Sequence, residues 1–431
     1  MLVPLSTLFA ESLKIGCLGF GGPAGQIALM HRVFVDERKW IDDTRFQHML
    51  AFCMLLPGPE AQQLATYIGW RLRGWAGALI AGWMFVLPGA LIVLALSWLY
   101  VNYGEVPLVA AAFDGIKCAV VALVAEALLK VGKRALKTRT ALLIAVVTFF
   151  ALVLGAPFPL VIIAAAFVGA LQPSPLGKGR VGGDANTSSL AELDSPSPQP
   201  LPQGGGALSQ AFLWLILWLA PPAIIALTLG TDHVLFQIAL LFSILACVTF
   251  GGAYALLAYL TTEAAARGWL TPAQMIDGLG LAETTPGPLI LVNEFVGFLA
   301  GWSSGGLALA VAGAAIALWC TFAPSFVWIF AGAPFAEGLQ RNQRAAGALN
   351  AITAAVLGVI AKLALFFAAH ALFARQISVG PTEFPDLASA HWWMVALAVA
   401  AGVALIRFKA NLLLVLAVCA AAGLAAQLLS L

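Results

Sequence analysis

The sequence has little charge. Aspartate, glutamate, lysine and arginine make up 10% of its 431 residues, whereas a soluble domain carries about 25%. Hydrophobic residues make up 61%, and apolar runs long enough to cross a bilayer recur along nearly the whole chain. These runs lack the alternating polarity of transmembrane β-strands. The composition therefore predicts an all-α polytopic membrane protein.

Several kinds of motif are also absent. The six cysteines include no Cys-x-x-Cys pair, and the five histidines have no metal-ligand spacing. There is no phosphate-binding loop, metalloprotease motif or Gly-x-Ser-x-Gly elbow. We therefore expect no cofactor, no metal site, no catalytic residues and no enzymatic activity. The net charge of +2 gives no reason to expect a nucleic-acid partner.

The apolar stretches predict about 13 spans. They fall at 5–22, 47–70, 75–101, 106–129, 140–155, 157–171, 210–229, 233–250, 273–299, 303–331, 345–373, 391–406 and 411–430. Between them, residues 172–209 contain 19 Pro, Gly or Ser in 38 positions, which is typical of a flexible linker. The predicted units are an N-terminal half, 1–171, the linker, and a C-terminal half, 210–431, with an extra span at 210–229.

A motif occurs twice, once in each half. The first copy is Phe20-Gly21-Gly22, Trp40 and Pro57-Gly58-Pro59; the second is Phe250-Gly251-Gly252, Trp269 and Pro286-Gly287-Pro288. Seventeen residues separate the tryptophan from the first proline in both copies (57 − 40 and 286 − 269). Helices broken at corresponding places in two halves indicate the binding site of a transporter.

Pro-Gly-Pro inside apolar sequence predicts a broken helix. The first proline ends a helix, glycine permits the turn, and the second proline can begin a new helix. The N–H groups that follow, at 60–62 and at 289–291, would then be unpaired and could bind an anion. A proline kink that only shapes packing is the alternative. Duplication of the motif favours the functional interpretation.

Polar side chains surround both breaks and are the candidate site residues. The predicted substrate-binding set consists of Gly21, Gly22, Pro57, Gly58, Pro59, Gln62, Gln63, Thr66, Thr284, Thr285, Pro286, Gly287, Pro288 and Asn293. Ionisable residues within spans are functional candidates by default. Lys14 and Lys117 could neutralise a dianion, and Glu60, Glu283 and Glu294 could carry protons.

Span counting and charge give a predicted topology. Seven spans precede the second motif, so the halves are expected to be inverted relative to each other. If one segment in each half is re-entrant, the halves become parallel instead. With the N-terminus on one side, that side collects fourteen loop Lys and Arg and the other collects five. The N-terminus is therefore predicted to be cytoplasmic.

These motifs resemble those of the chromate ion transporter family in its long two-domain form. The resemblance rests on the stretches 19–23, 56–64, 67–74 and 283–298, and it covers nearly the whole chain outside the linker. It implies secondary transport of chromate, and of related oxyanions such as sulfate, out across a prokaryotic inner membrane by an ion-coupled antiporter that confers chromate resistance. Ala253 stands where the first copy has Pro23, which puts the second Phe-Gly-Gly turn in doubt.

Several alternatives stay open at this point. The chain could be a sulfate or other oxyanion uptake carrier, a passive anion channel, or a membrane scaffold that transports nothing. The expected partners are chromate and the lipid bilayer, and the sequence leaves a homodimer open.

Overall fold

The computed structural model describes residues 3–171, 204–250, 253–336, 342–379 and 382–429, in which sixteen α-helices and one β-hairpin form. Most of the predicted linker, together with Gly251 and Gly252 of the second motif, lies outside these residues. The helices are α1 (Leu5–Leu18), α2 (Gly22–His31), α3 (Asp43–Cys53), α4 (Glu60–Tyr103), α5 (Pro107–Ala135), α6 (Arg139–Val153), α7 (Phe158–Leu171), α8 (Gly204–Leu229), α9 (Val234–Val248), α10 (Ala253–Ala266), α11 (Pro272–Thr284), α12 (Val292–Gly305), α13 (Leu307–Gly332), α14 (Gln343–Leu372), α15 (Trp392–Ile406) and α16 (Leu412–Leu428). The protein is an all-α polytopic membrane protein, as predicted.

Five helices of the described chain are long and apolar enough to cross a bilayer by themselves. They are α4, α5, α8, α14, and α13 together with the short turn that extends it to Phe335. Six further apolar helices have 10 to 17 residues. Because a bilayer core about 30 Å thick requires about 20 helical residues, these shorter helices span only in combination or with local adjustment of the bilayer.

Two matched helical hairpins follow the two Pro-Gly-Pro segments. Within α4 the backbone reverses at Arg73 and Gly74, where Gly74 has a φ of +63°. The two arms of α4, 60–72 and 75–103, pack so closely that a Cβ on Gly69 would collide with the backbone of Gly77. In the second half, the chain reverses at Gly306, with a φ of +76°, between α12 and α13. Both reversals require glycine because L side chains disfavour positive φ.

The hairpins lie at the centre of the packing. Helix α13 packs on α4, α8, α9 and α12, and α4 also packs on α1. Stacked aromatic rings join the halves, with the centroid of Phe326 lying 5.9 Å from Trp83 and 4.3 Å from Trp214. Around this centre, α14 packs on α5, α6 and α7, while α15 and α16 pack on α5.

The structure also contains elements that hydropathy did not predict. Helices α2 and α10 occupy segments that lie between the predicted spans. A short antiparallel hairpin pairs Gln376–Val379 with Thr382–Pro385. Helix α8 begins at Gly204, earlier than the predicted span at 210. Hydropathy finds long apolar runs, so short helices beside polar turns escape it.

Candidate functional site

The first Pro-Gly-Pro segment separates α3 from α4, as predicted. Helix α3 ends at Cys53 and α4 begins at Glu60. Gly58 has a φ of +108°, a conformation that essentially only glycine adopts. The Gln63 N–H donates to the Pro59 carbonyl at 2.9 Å, so the N–H groups of residues 60–62 have no acceptor within the helix. The positive end of a half-helix therefore lies at this break.

The second segment has nearly the same backbone. Gly287 has a φ of +105°, and α11 ends just before it at Thr284. Residues Leu289–Leu291 form a 3₁₀ turn before α12 begins at Val292. The Leu291 N–H donates to the Pro288 carbonyl at 2.9 Å. The expectation that the Leu291 N–H is unpaired is therefore wrong, because the first turn is tightened into a 3₁₀ helix.

Each break is hydrogen-bonded to the opposite half of the chain. The Gly58 N–H donates to the carbonyl of Thr249 at 2.9 Å, and the Gly287 N–H donates to the carbonyl of Gly19 at 3.0 Å. Gly19 and Thr249 are equivalent positions, since each directly precedes the phenylalanine of its Phe-Gly-Gly motif. The Pro-Gly-Pro segment of each half is thus hydrogen-bonded to the residue that precedes Phe-Gly-Gly in the other half.

The proline-containing helices of the hairpins make a second reciprocal contact. Pro88 lies within α4, and its neighbour Gly89 lies so close to the second break that a Cβ there would collide with the Pro286 carbonyl. Pro324 lies within α13, and its neighbour Ser325 has its Oγ 3.9 Å from where a Cβ of Gly58 would be. Each break is therefore enclosed by α1 or α9 and by the kinked helix of the other half.

Buried polar atoms without hydrogen-bond partners concentrate at the first break. Gln62 is 0% exposed, and neither its Oε1 nor its Nε2 has a partner within the described protein. Gln63 donates to the Pro57 carbonyl at 2.6 Å, but its Oε1 is unpaired. The hydroxyls of Thr66 and Ser325 are likewise buried and unpaired. Such groups are costly to bury without partners, which makes this cluster a candidate site for a polar ligand.

The shell of the second break is largely satisfied by the protein itself. The Gln26 amide donates to the carbonyls of Gly287 at 2.5 Å and Gly19 at 3.2 Å. Asn293 donates to the Thr321 hydroxyl at 3.0 Å. The hydroxyls of Thr284 and Thr285 donate back to their own helix, to the Leu281 carbonyl at 2.8 Å and the Ala282 carbonyl at 3.0 Å. The side-chain oxygens of Gln26 and Asn293 remain buried without a partner among the described residues.

Helix α13 carries polar side chains that lie at both breaks. Thr321 and Ser325 are four residues apart, so they lie on one face about 6 Å from each other along the helix. Thr321 accepts from Asn293 beside the second break, and Ser325 faces Gly58 of the first. The predicted residues Gln62, Gln63, Thr66 and Asn293 are therefore brought to one buried region. Gln26, Ser325 and Thr321 belong to it too and were not predicted.

The Phe-Gly-Gly turn of the first half borders open space. Gly21 and Gly22 have φ values of +85° and +68°, and no atom lies within 4 Å of a Cβ built on either. They separate α1 from α2, so the first half contains a second break. The positive φ at each of these positions requires glycine.

The three candidate carboxylates have different surroundings. Glu60 is the first residue of α4, at the positive end of the half-helix. Glu283 accepts a hydrogen bond from the Tyr254 hydroxyl at 2.7 Å. Glu294 is 1% exposed, and its Oε2 has no partner within the described residues.

The two candidate lysines are already engaged with carboxylates. Lys14 is half-exposed and lies 3.9 Å from both Glu11 and Glu37. Lys117 lies 2.8 Å from Asp114 and 3.7 Å from buried Asp277. The other Asp277 oxygen accepts from the Tyr100 hydroxyl at 2.8 Å. Neither lysine is therefore a free cation awaiting an anion.

This arrangement predicts that Lys117→Met destabilises the protein. The change leaves the Asp277 charge buried without its cation, which should cost about 3–5 kcal/mol of unfolding free energy. The double variant Lys117→Met with Asp277→Asn should recover most of that loss, because no uncompensated charge is then buried. Thermal unfolding in detergent measures both effects. Equal stability of the single variant and the wild type would show that the pair contributes nothing.

Comparisons with known proteins identify the family of the chain. Residues 6–170 and 236–424 match the family model described as Chromate transporter. The chain belongs to the chromate transporter family. It is 33% identical over 427 residues to a chromate transport protein of Pseudomonas aeruginosa, covering 98% of this chain and 91% of the relative. No solved structure matches the chain.

More distant members of the chromate transporter family also align over most of the chain. A probable chromate transport protein of Synechococcus elongatus is 29% identical, with 83% of each chain covered. A chromate transport protein of Cupriavidus metallidurans is 28% identical, with 83% of this chain and 80% of the relative covered.

Proposed function

We propose that this protein is a secondary transporter that exports chromate across the inner membrane and so confers chromate resistance. The observation that carries the proposal is the cluster of fully buried, unpaired polar groups at the first break, around Gln62. Membership in the chromate transporter family and the printed names of the relatives support chromate as the substrate.

The chemistry of the cluster suits a tetrahedral dianion. Chromate presents four oxygen acceptors and two negative charges, so it needs several donors directed at one point. The N–H groups of 60–62 lie at a positive helix end, and the Gln62 amide and the Thr66 and Ser325 hydroxyls add neutral donors. Sulfate has the same shape and charge, and we expect it to compete.

The reciprocal contacts support alternating access between inverted halves. Each break is bonded to the other half, so a rocking of one half against the other would change the two shells in opposite senses. We assign proton coupling to Glu60, Glu283 and Glu294, which makes the protein an antiporter. The excess of basic loop residues on one side supports a cytoplasmic N-terminus.

Chromate uptake into inverted membrane vesicles tests the proposal. In these vesicles the cytoplasmic face is outside, so an exporter should load labelled chromate into the lumen of energised vesicles. We expect saturable uptake, competition by sulfate, and loss of accumulation when an uncoupler is added. Flux that neither saturates nor responds to the uncoupler would identify a channel, and no flux above that of empty vesicles would reject transport.

A further inference from the structure

A long apolar groove lies on the surface between α5, α6 and α14. Its volume is about 630 Å³, and residues such as Leu129, Leu136, Phe150 and Leu357 line it. Lys133 is the one charged residue among the described residues that line the groove. Leu136 and Phe150 are 41% and 57% exposed. The groove is thus suited to binding a hydrocarbon chain, and it has one cation on its wall.

The segment beside the groove is strongly basic. Residues 127–157 contain five Lys or Arg and no Asp or Glu. Lys130 is paired with Glu126 at 2.7 Å, which leaves Lys133, Arg134, Lys137 and Arg139 as exposed cations. We infer that the groove binds an acyl chain of an anionic phospholipid, whose headgroup is held by Lys133, Lys137 and Arg139. An anionic membrane surface attracts each such basic residue.

The lengths of the outer helices bring headgroups to this position. Helix α6 has 15 residues and α7 has 14, so each is only about 21–23 Å long. A bilayer core about 30 Å thick must thin locally beside them. The headgroup layer then moves inward toward the connection between α5 and α6, where the basic residues lie.

The charge pattern also favours a lipid over a second copy of this chain. A symmetric dimer formed through this face would place the same surface of each subunit against the other. The basic residues at 133–139 would then face their own equivalents, and like charges at an interface oppose association. A phospholipid with an anionic headgroup satisfies both the apolar groove and the basic rim.

Native mass spectrometry of the full-length protein, released from nanodiscs of phosphatidylcholine and phosphatidylglycerol, tests the inference. We expect selective retention of phosphatidylglycerol. The double variant Lys133→Gln with Lys137→Gln should weaken that retention about thirtyfold, since each cation contributes about a fivefold factor. The matched control, Arg407→Gln with Lys409→Asn, removes two exposed cations from the α15–α16 connection and should change nothing.

Two further variants separate the groove from the charges. Gly132→Leu keeps every charge but fills the groove, because a Cβ at Gly132 points toward Leu357 at 3.6 Å; it should also reduce retention. Lys133→Arg with Lys137→Arg should preserve it, which excludes general misfolding as the cause. Equal retention of both lipids, equal effects of the charge variant and its control, or a dimer that forms without lipid would overturn the inference. The readout does not depend on chromate transport.

Discussion

Replacing Pro57, Gly58 and Pro59 by Ala, Leu and Ala is expected to abolish chromate flux while the protein still inserts into the membrane. Without the prolines, nothing prevents α3 and the first arm of α4 from joining into one helix. The N–H groups of residues 60–62 would then bond to carbonyls of the preceding turn and be lost to the anion. The Gly58 N–H would also be withdrawn from the Thr249 carbonyl.

Gly58→Ala should give a smaller effect of the same kind. Its φ of +108° is strained for any residue with a Cβ, at a cost of about 1–3 kcal/mol. The added methyl would also lie 3.1 Å from the side-chain Nε2 of Gln63. Because strain of this size changes a conformational equilibrium about tenfold, we expect flux to fall about tenfold. Vesicle uptake, normalised to the amount of protein in the membrane, measures both variants.

Gly206→Ala is the matched control for the added methyl. Gly206 lies in α8 without a positive φ, and no atom lies within 4 Å of a Cβ built there. This variant should transport like the wild type. Normal flux by the triple variant at normal abundance would contradict a functional role for the first break. It would favour the alternative of a proline kink that only shapes packing.

Sequence reasoning located the breaks because their cause is local. A proline lacks its N–H wherever it stands, so Pro57 and Pro286 predict helix ends without knowledge of the fold. The same holds for Gly58 and Gly287, whose positive φ values are built into the turn. Likewise, Gln62, Gln63 and Thr66 are candidates on sequence grounds because they follow the break within two helical turns.

The missing residues belong to the site only through tertiary packing. Gln26 reaches the Gly287 carbonyl across 261 positions of sequence, and Ser325 approaches Gly58 from the second half. Their own neighbours give no sign of this. Lys117, a candidate for neutralising a dianion, pairs with Asp114 three residues away and also with Asp277, which is distant in sequence. Periodicity and spacing describe one segment at a time, so contacts between halves escape them.

The two breaks share a backbone conformation but differ in what their side chains do. At the second break Gln26 bonds to Gly287 and Asn293 bonds to Thr321, although the side-chain oxygen of each stays buried without a partner among the described residues. At the first break Gln62 has no partner within the described chain. Gln62 is therefore the side chain whose replacement separates ligand binding from folding.

Gln62→Met is expected to raise stability in the absence of anion and to remove transport. Methionine is also unbranched and fits a similar space, but it has no polar atoms that require a partner. Leaving a buried amide unsatisfied costs about 1–3 kcal/mol, so its removal should increase the unfolding free energy by part of that amount. A donor to a charged ligand is worth about 1.5–3 kcal/mol, so the affinity for chromate should fall roughly ten- to a hundredfold.

Thermal unfolding with and without chromate measures both effects. The wild type should be stabilised by the anion, because a ligand that binds only the folded state raises its stability. Gln62→Met should start higher and show no such increase. Gln274→Met is the matched control: the Gln274 side chain caps α11 by accepting from the Thr271 N–H at 2.8 Å, so its loss should lower stability and leave the chromate response intact. If Gln62→Met instead behaved like Gln274→Met, the amide would be a structural group and the anion would have to bind elsewhere.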